Sequence, residues 1–506
     1  MRRQRMNVHR WVLLCTMLAL CLPGGAWAQT FSSGSTGAQG AFPPTGGIAP
    51  PTGTTTFTIS LTDGKLYYYN GSWTNVTLPN VPDGGFRDGI LNFTTINIPS
   101  GSAVYISRNA SNTPVVLLAT GNVTLAGTID VSGTSASTWG RPGPAGPGGF
   151  GGGAGSDGIT SNAGGIGLGP GGGGGASGSV NGGVYTGGGG GGYGTSGTAG
   201  NVYYTGNTPG AGGATYGSSN LRPIVGGSGG GGGVGNVPSA TGGGGGGGGG
   251  AIVIASSTSI AITGSPAIRA NGGDGGTGSY GGGGAGSGGA IRLIAPTISG
   301  SGTLVAQGGN GGGWGGGTGG NGRIRLEATT LSYSGNSTPF AVAGLPQSIF
   351  PSTGQPTLAI ASIGGLPAPV FPAGSFVATP DVLLPTGSTN PVAVVLTATN
   401  VPIGTAVQLT ATPQIGSKST ATCSLLDGSL ASSTCTASLS ISLTQTNVLT
   451  ASATFPLVAS TGEGPVYAEG EEVKWVKLAA AFGGASTLTY VTASGREVPA
   501  ELTAAP

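Results

Sequence analysis

The sequence is poorest in the residues that catalysis most often uses. One histidine, His9, occurs in 506 residues, and it lies in a segment with the features of a cleaved leader. A Ser-His-Asp triad or a histidine-based metal site therefore cannot be assembled from the rest of the chain. Charged side chains make up 6% of the residues, against about 25% in ordinary domains. Their signs nearly balance, at 17 basic and 15 acidic, so no basic face for nucleic acid can be drawn. Beyond the leader, no apolar run approaches the roughly 20 residues of a membrane helix, and no transmembrane anchor is expected. Gly64-Lys65-Leu66 and Gly416-Ser417-Lys418-Ser419 lack the glycine spacing of a phosphate-binding loop.

Residues 1–28 have the three parts of a signal peptide. Arg2, Arg3, Arg5 and Arg10 supply the basic start, Trp11 to Leu22 the apolar stretch, and Ala26 and Ala28 the small residues before a cut at Gln29. The expectation is a secreted or cell-surface protein. Cleavage removes four basic side chains, His9, Cys15 and Cys21. Cys423 and Cys435 remain in an oxidising compartment and are expected to form a disulfide. Their parity with Leu425 and Leu439 places both on one side of a hairpin turning near Asp427-Gly428.

What is abundant is glycine, with 112 residues concentrated between 133 and 322. Short alternating apolar runs interrupt it and repeat. Val123-Thr124-Leu125, then Gly127, then Ile129-Asp130-Val131 matches Ile260-Ala261-Ile262, Gly264 and Ile268-Arg269-Ala270, and again Ile298, Gly300 and Leu304-Val305-Ala306. Phe93 to Ile106 is an earlier copy, and Arg323-Ile324-Arg325-Leu326-Glu327 opens a last one. The offset from Ile98 to Leu125 is about one turn of a solenoid. Ile129, Ile268 and Leu304 align as inward positions, with Asp130, Arg269 and Val305 outward. The expected fold is all-β: a right-handed parallel β-helix with glycine-rich insertions, plus a C-terminal β-sandwich. The glycine blocks 133–250, 271–289 and 307–322 leave at one corner. They can pack there as polyglycine-II-like extended helices or remain disordered.

The expected organisation is a signal peptide at 1–28, an extended lead-in and aromatic β-hairpin at 29–88, and the glycine-rich β-helix at 89–336. A proline-rich linker follows at 337–388, an immunoglobulin-like sandwich at 389–457 and an acidic β segment at 458–506. The hairpin is predicted from Asn70-Gly71, which suits a two-residue type I′ turn between Lys65–Tyr69 and Ser72–Val76.

Candidate sites are few. Tyr67, Tyr69 and Trp73 either pack the hairpin onto its neighbours or form a sugar-stacking surface. Arg292 and Arg325 align as stacked like charges, to be relieved by Glu327 or by an anionic ligand. Asp130 and Arg269 read as a ladder pair. The run from Gly152 to Ile159, with Asp157, matches one calcium-binding nonapeptide, and Asp274 is the other candidate for calcium; a single copy does not build the usual site, so no cofactor is expected.

Phe31-Ser32-Ser33-Gly34-Ser35-Thr36-Gly37-Ala38-Gln39-Gly40-Ala41-Phe42, the run from Phe93 to Gly133 with its Ile98-Pro99-Ser100-Gly101, and Gly322-Arg323-Ile324-Arg325-Leu326-Glu327 together resemble exported glycine-rich bacterial β-helix proteins. Residues 388–457 resemble bacterial immunoglobulin-like modules. The resemblance implies a secreted or surface-exposed bacterial product and carries no activity or functional residues. The expected role is structural or adhesive at the cell surface or in the extracellular matrix, with surface glycans or matrix components as partners. The alternative is a carbohydrate-binding or polysaccharide-active protein, a lyase or hydrolase using carboxylates such as Asp130 and Glu327.

Overall fold

The computed structural model describes residues 31–45, 53–83, 85–137, 140–157, 163–178, 186–202, 206–235, 241–350, 354–370, 372–457, 466–468, 470–480 and 486–500. Residues 1–28, read as a signal peptide, and the end of the calcium-like run, Gly158 and Ile159, lie outside these. The described chain is all-β, mainly parallel in its larger first part and antiparallel at its end, with no helix.

A three-stranded meander comes first, β1 (Thr56–Ser60), β2 (Lys65–Tyr69) and β3 (Trp73–Thr77). Five repeat units follow: β4 (Ile90–Phe93), β5 (Ile96–Ile98) and β6 (Ala103–Ser107); β7 (Val115–Ala119), β8 (Val123–Leu125) and β9 (Thr128–Asp130); β10 (Ala251–Ser256), β11 (Ser259–Ile262) and β12 (Ile268–Arg269); β13 (Ala290–Gly300) and β14 (Leu304–Val305); β15 (Arg323–Tyr333) and β16 (Ser337–Thr338), after which β17 (Val342–Gly344) pairs with β15 and opens a further turn. Corresponding strands pair in parallel. The first strands of the units run β4-β7-β10-β13-β15, and the last run β6-β9-β12-β14-β16. Ile268 registers with both Ile129 and Leu304, and Arg269 with both Asp130 and Val305, as the repeat alignment requires. Because side chains alternate across a strand, this register sends Ile129, Ile268, Leu304, Ile252, Ile291 and Leu293 into one shared core.

The lead-in is more than an extended tether. Phe42 is buried and bridges Ile96, and the Gln39 and Phe42 amides donate to the Asn92 and Thr95 carbonyls. Thus the segment covers the exposed edge of the first unit. The turn after β2 also differs from the type I′ expectation. Tyr69 pairs with Trp73, leaving a three-residue loop in which Gly71 has φ +80° while Asn70 is not left-handed.

The glycine blocks are ordered against one another. Residues 242–250 show the pattern. Amides of Gly242, Gly245 and Gly248 donate to the carbonyls of Ser156, Gly153 and Phe150; those of Gly243, Gly246 and Gly249 donate to Gly281, Gly284 and Ser287; those of Gly247 and Gly250 donate to Thr134 and Val131. Their carbonyls accept from three further segments: Gly245 and Gly248 from Gly143 and Gly146, Gly244 and Gly247 from Gly276 and Gly273, and Gly243, Gly246 and Gly249 from Gly233, Gly230 and Gly227. Each segment is met every third residue, so one extended strand is bonded to six neighbours. None of these glycines has positive φ. Glycine is required because a Cβ at any position from 242 to 250 would lie under 3.0 Å from backbone atoms of a neighbouring segment. The blocks also cover the outer face of the nine-stranded sheet, where Tyr193, Leu221 and Val225 pack on Ala251 and Ala290.

The antiparallel part begins inside the stretch read as a linker. It comprises β18 (Thr357–Ile363), β19 (Leu366–Pro367), β20 (Val392–Thr399), β21 (Val407–Pro413), β22 (Ser419–Thr422), β23 (Asp427–Ser429), β24 (Ser432–Leu439), β25 (Asn447–Pro456), β26 (Tyr467–Ala468), β27 (Glu471–Ala480), β28 (Ser486–Thr492) and β29 (Glu497–Ala500). A five-stranded sheet β19-β18-β20-β24-β23 and a seven-stranded one containing β22-β21-β25-β27-β28-β29 share a core, with Leu358, Val394 and Leu396 from the first and Leu409, Val476 and Leu478 from the second. The acidic C-terminal segment therefore completes this part and is not separate from it.

Cys423 and Cys435 form the expected disulfide, with Cα atoms 5.8 Å apart. It does not span a single hairpin. Cys423 follows β22 in the seven-stranded sheet and Cys435 lies in β24 of the five-stranded one, so the bond joins the two sheets; the hairpin turns at Ser429–Ser432. Closing a loop of this length stabilises by about 3 kcal/mol. Replacing both cysteines by serine should lower the stability of the antiparallel part by about that amount, read as a shift in its urea midpoint, with the parallel part unaffected.

Candidate ligand-binding face

The outer face of the eight-stranded sheet carries a group of exposed aromatic side chains. In β2, Leu66 and Tyr68 point into the core, which sends Lys65, Tyr67 and Tyr69 outward. Tyr69 is 46% exposed, Trp73 is 60% exposed, and their ring centroids lie 5.5 Å apart at a tilt of 57°. The pairing register carries the face across the sheet. Asn75 pairs with Tyr67, Tyr67 with Thr58, Thr58 with Tyr105, Tyr105 with Asp130, and Asp130 with Arg269. One outward row thus reads amide, aromatic, hydroxyl, aromatic, acid, base.

Tyr105, 47% exposed, is a member that the sequence reading missed. The signal was present, since the alignment that makes Asp130 outward makes Tyr105 outward one unit earlier. Tyr67 is held in place by its hydroxyl, which donates to Asp63 Oδ2 at 2.7 Å. Burial acts to raise the Asp63 carboxyl, but hydrogen bonds from Ser60, Tyr67 and the Lys65 amide, with the Lys65 charge, hold it below its ordinary value; the same hydrogen bond raises the Tyr67 phenol. Asp130 accepts the Ser132 amide at 2.9 Å. Although in register, Asp130 and Arg269 form no ion pair, so both keep polar capacity on this face.

The other charged candidates are placed differently. Arg292 is fully buried, and Arg325 is 7% exposed. Glu327 lies between them and accepts Arg292 Nε and Nη2, each at 3.0 Å, and Arg325 Nε at 2.6 Å. Arg292 also donates to the Ser348 and Ile349 carbonyls, and the Gln347 amide donates to Glu327. Burial pulls the Arg292 guanidinium below its usual range, opposed by its hydrogen bonds to Glu327 and by that charge. The like-charge pair is therefore relieved inside the protein, and a ligand surface at Arg292 and Arg325 is corrected to a buried ion network. Asp274 Oδ1 accepts the Asn310 amide at 2.7 Å, tying two glycine blocks together. Asp157 is half-buried at the edge of the described tract. Among the described residues, no three His, Cys, Asp or Glu side chains converge.

The chain matches no family model, no curated protein and no solved structure. Exposed rings beside hydroxyl, amide and balanced charged groups suit a ligand with both apolar faces and many hydroxyls.

Proposed function

We propose that this is an exported structural and adhesive protein of the cell surface or extracellular matrix, without catalytic activity. In this reading the parallel units form a right-handed parallel β-helix, the glycine blocks a polyglycine-II-like bundle, and the antiparallel strands an immunoglobulin-like sandwich. The observation that carries it is the interlocked glycine region. Ordering glycine costs roughly 1 to 2 kcal/mol of backbone entropy per residue, and here that cost is met by mutual backbone hydrogen bonds in a region almost without reactive side chains. A chain segment of this kind supplies rigidity and surface. Carbohydrate binding is the second reading, favoured by exposed Tyr69, Trp73 and Tyr105 on one face.

Beads coated with residues 29–506 should adhere to surfaces bearing polysaccharide or extracellular-matrix material, and the protein should leave those polymers intact. Release of new reducing or unsaturated ends from a polysaccharide panel would overturn the non-catalytic reading. Failure of the beads to adhere to every surface would overturn the adhesive one.

A further inference from the structure

We infer that the outer face of the eight-stranded sheet binds an extended, uncharged, β-linked polysaccharide lying across the strands, with Tyr67 and Tyr105 stacking on alternate sugars. The inference rests on the adhesive reading and assigns it a site and a ligand class. Tyr67 and Tyr105 flank Thr58 in one register row. They are two inter-strand steps apart, about 9.5 Å. That spacing is close to one disaccharide of an extended β-1,4-linked chain, whose alternate pyranoses present equivalent faces.

The intervening positions suit the same ligand. Thr58 lies under the sugar between the stacked pair, and Asn75 lies at one end of the row. Asp130 and Arg269 lie at the other end without pairing to each other, which leaves one acceptor and one donor for hydroxyl groups. Tyr69 and Trp73 form a second, tilted pair on the adjacent row, widening the platform beside Tyr67. Tyrosine and tryptophan offer an apolar ring face with a polar edge, and two torsions limit the entropy lost on binding.

Charge selects among ligand classes. The register and the turn before β2 place four formally charged residues on this face, Asp63, Lys65, Asp130 and Arg269, two of each sign, so they give an acidic polymer no net attraction. A neutral polysaccharide needs none, because ring stacking and hydroxyl hydrogen bonds supply the contact.

The test is calorimetric titration of residues 29–506 with soluble hexasaccharides of β-1,4-linked glucose, mannose, xylose and N-acetylglucosamine, and with the matching disaccharides. At least one hexasaccharide should bind, and its disaccharide should bind far more weakly because it cannot reach both rings. Tyr105→Ala and Trp73→Ala should each weaken binding by about ten-fold or more, with unchanged melting temperature because both side chains are exposed. Binding of none of the four, or equal binding by the Tyr105→Ala/Trp73→Ala variant, overturns the inference. If beads carrying that double variant still adhere, the adhesive reading stands and the assigned face falls. Association with phosphatidylcholine vesicles, lost in the same variant and without glycan binding, would reassign the face to a membrane surface.

Discussion

Gly245→Ala should destabilise the protein by about 3 kcal/mol or more, a large cost for one methyl group. The added Cβ meets the Gly230 carbonyl, and the strand cannot move aside because segments surround it on six sides. Gly248→Ala meets the Gly227 carbonyl of the same neighbour, so the two substitutions together should prevent the block from assembling. Gly151→Ala is the matched control. Its Cβ would sit 3.8 Å from the Gly143 carbonyl and 4.0 Å from Leu168, in ordinary contact, and it should change stability by no more than about 0.5 kcal/mol. Thermal melting and protease resistance of the three variants check this directly. Equal melting temperatures for Gly245→Ala and Gly151→Ala would show that the packing does not exclude side chains.

Glu327→Gln should be comparably severe for an electrostatic reason. It leaves Arg292 and Arg325 charged, close together and buried without a counter-charge, a situation that costs about 3 to 5 kcal/mol. The carbonyls of Ser348 and Ile349 still accept from Arg292, but they carry no formal charge. Replacing all three members with Arg292→Met, Arg325→Met and Glu327→Leu should recover most of the loss, because no charge is then left to desolvate. Chemical denaturation of the single and triple variants separates this from a simple packing defect, in which the triple variant would be at least as unstable as the single one.

These two sites also show what the sequence could and could not convey. Strand register was legible wherever apolar residues alternate, which is why Ile129, Ile268 and Leu304 align in the sequence as they do in the sheet. The same alternation aligned Arg292 with Arg325. It could not show that segment 347–349 folds over them, since Gln347, Ser348 and Ile349 act there mainly through backbone groups. The glycine blocks were recognisable as excursions from one corner, but their partners were not, because a run of identical residues without side chains carries no register. Likewise, Phe42 was hidden in a stretch whose Gly, Ser and Thr content reads as tether, although it fills the end of the core. The cysteine pairing followed from there being two thiols beyond the expected leader; that the bond joins separate sheets depended on where β22 ends.

The three-residue repeat of hydrogen bonding in the glycine blocks sets a rule for how their length can change. One residue inserted within 242–250 would turn every later amide by a third of a revolution, from its own neighbour to the next. Three inserted residues would restore every direction and only lengthen the strand by one turn. The blocks should therefore tolerate insertion and deletion in steps of three amino acids, a constraint on length variation that helices and paired strands do not share.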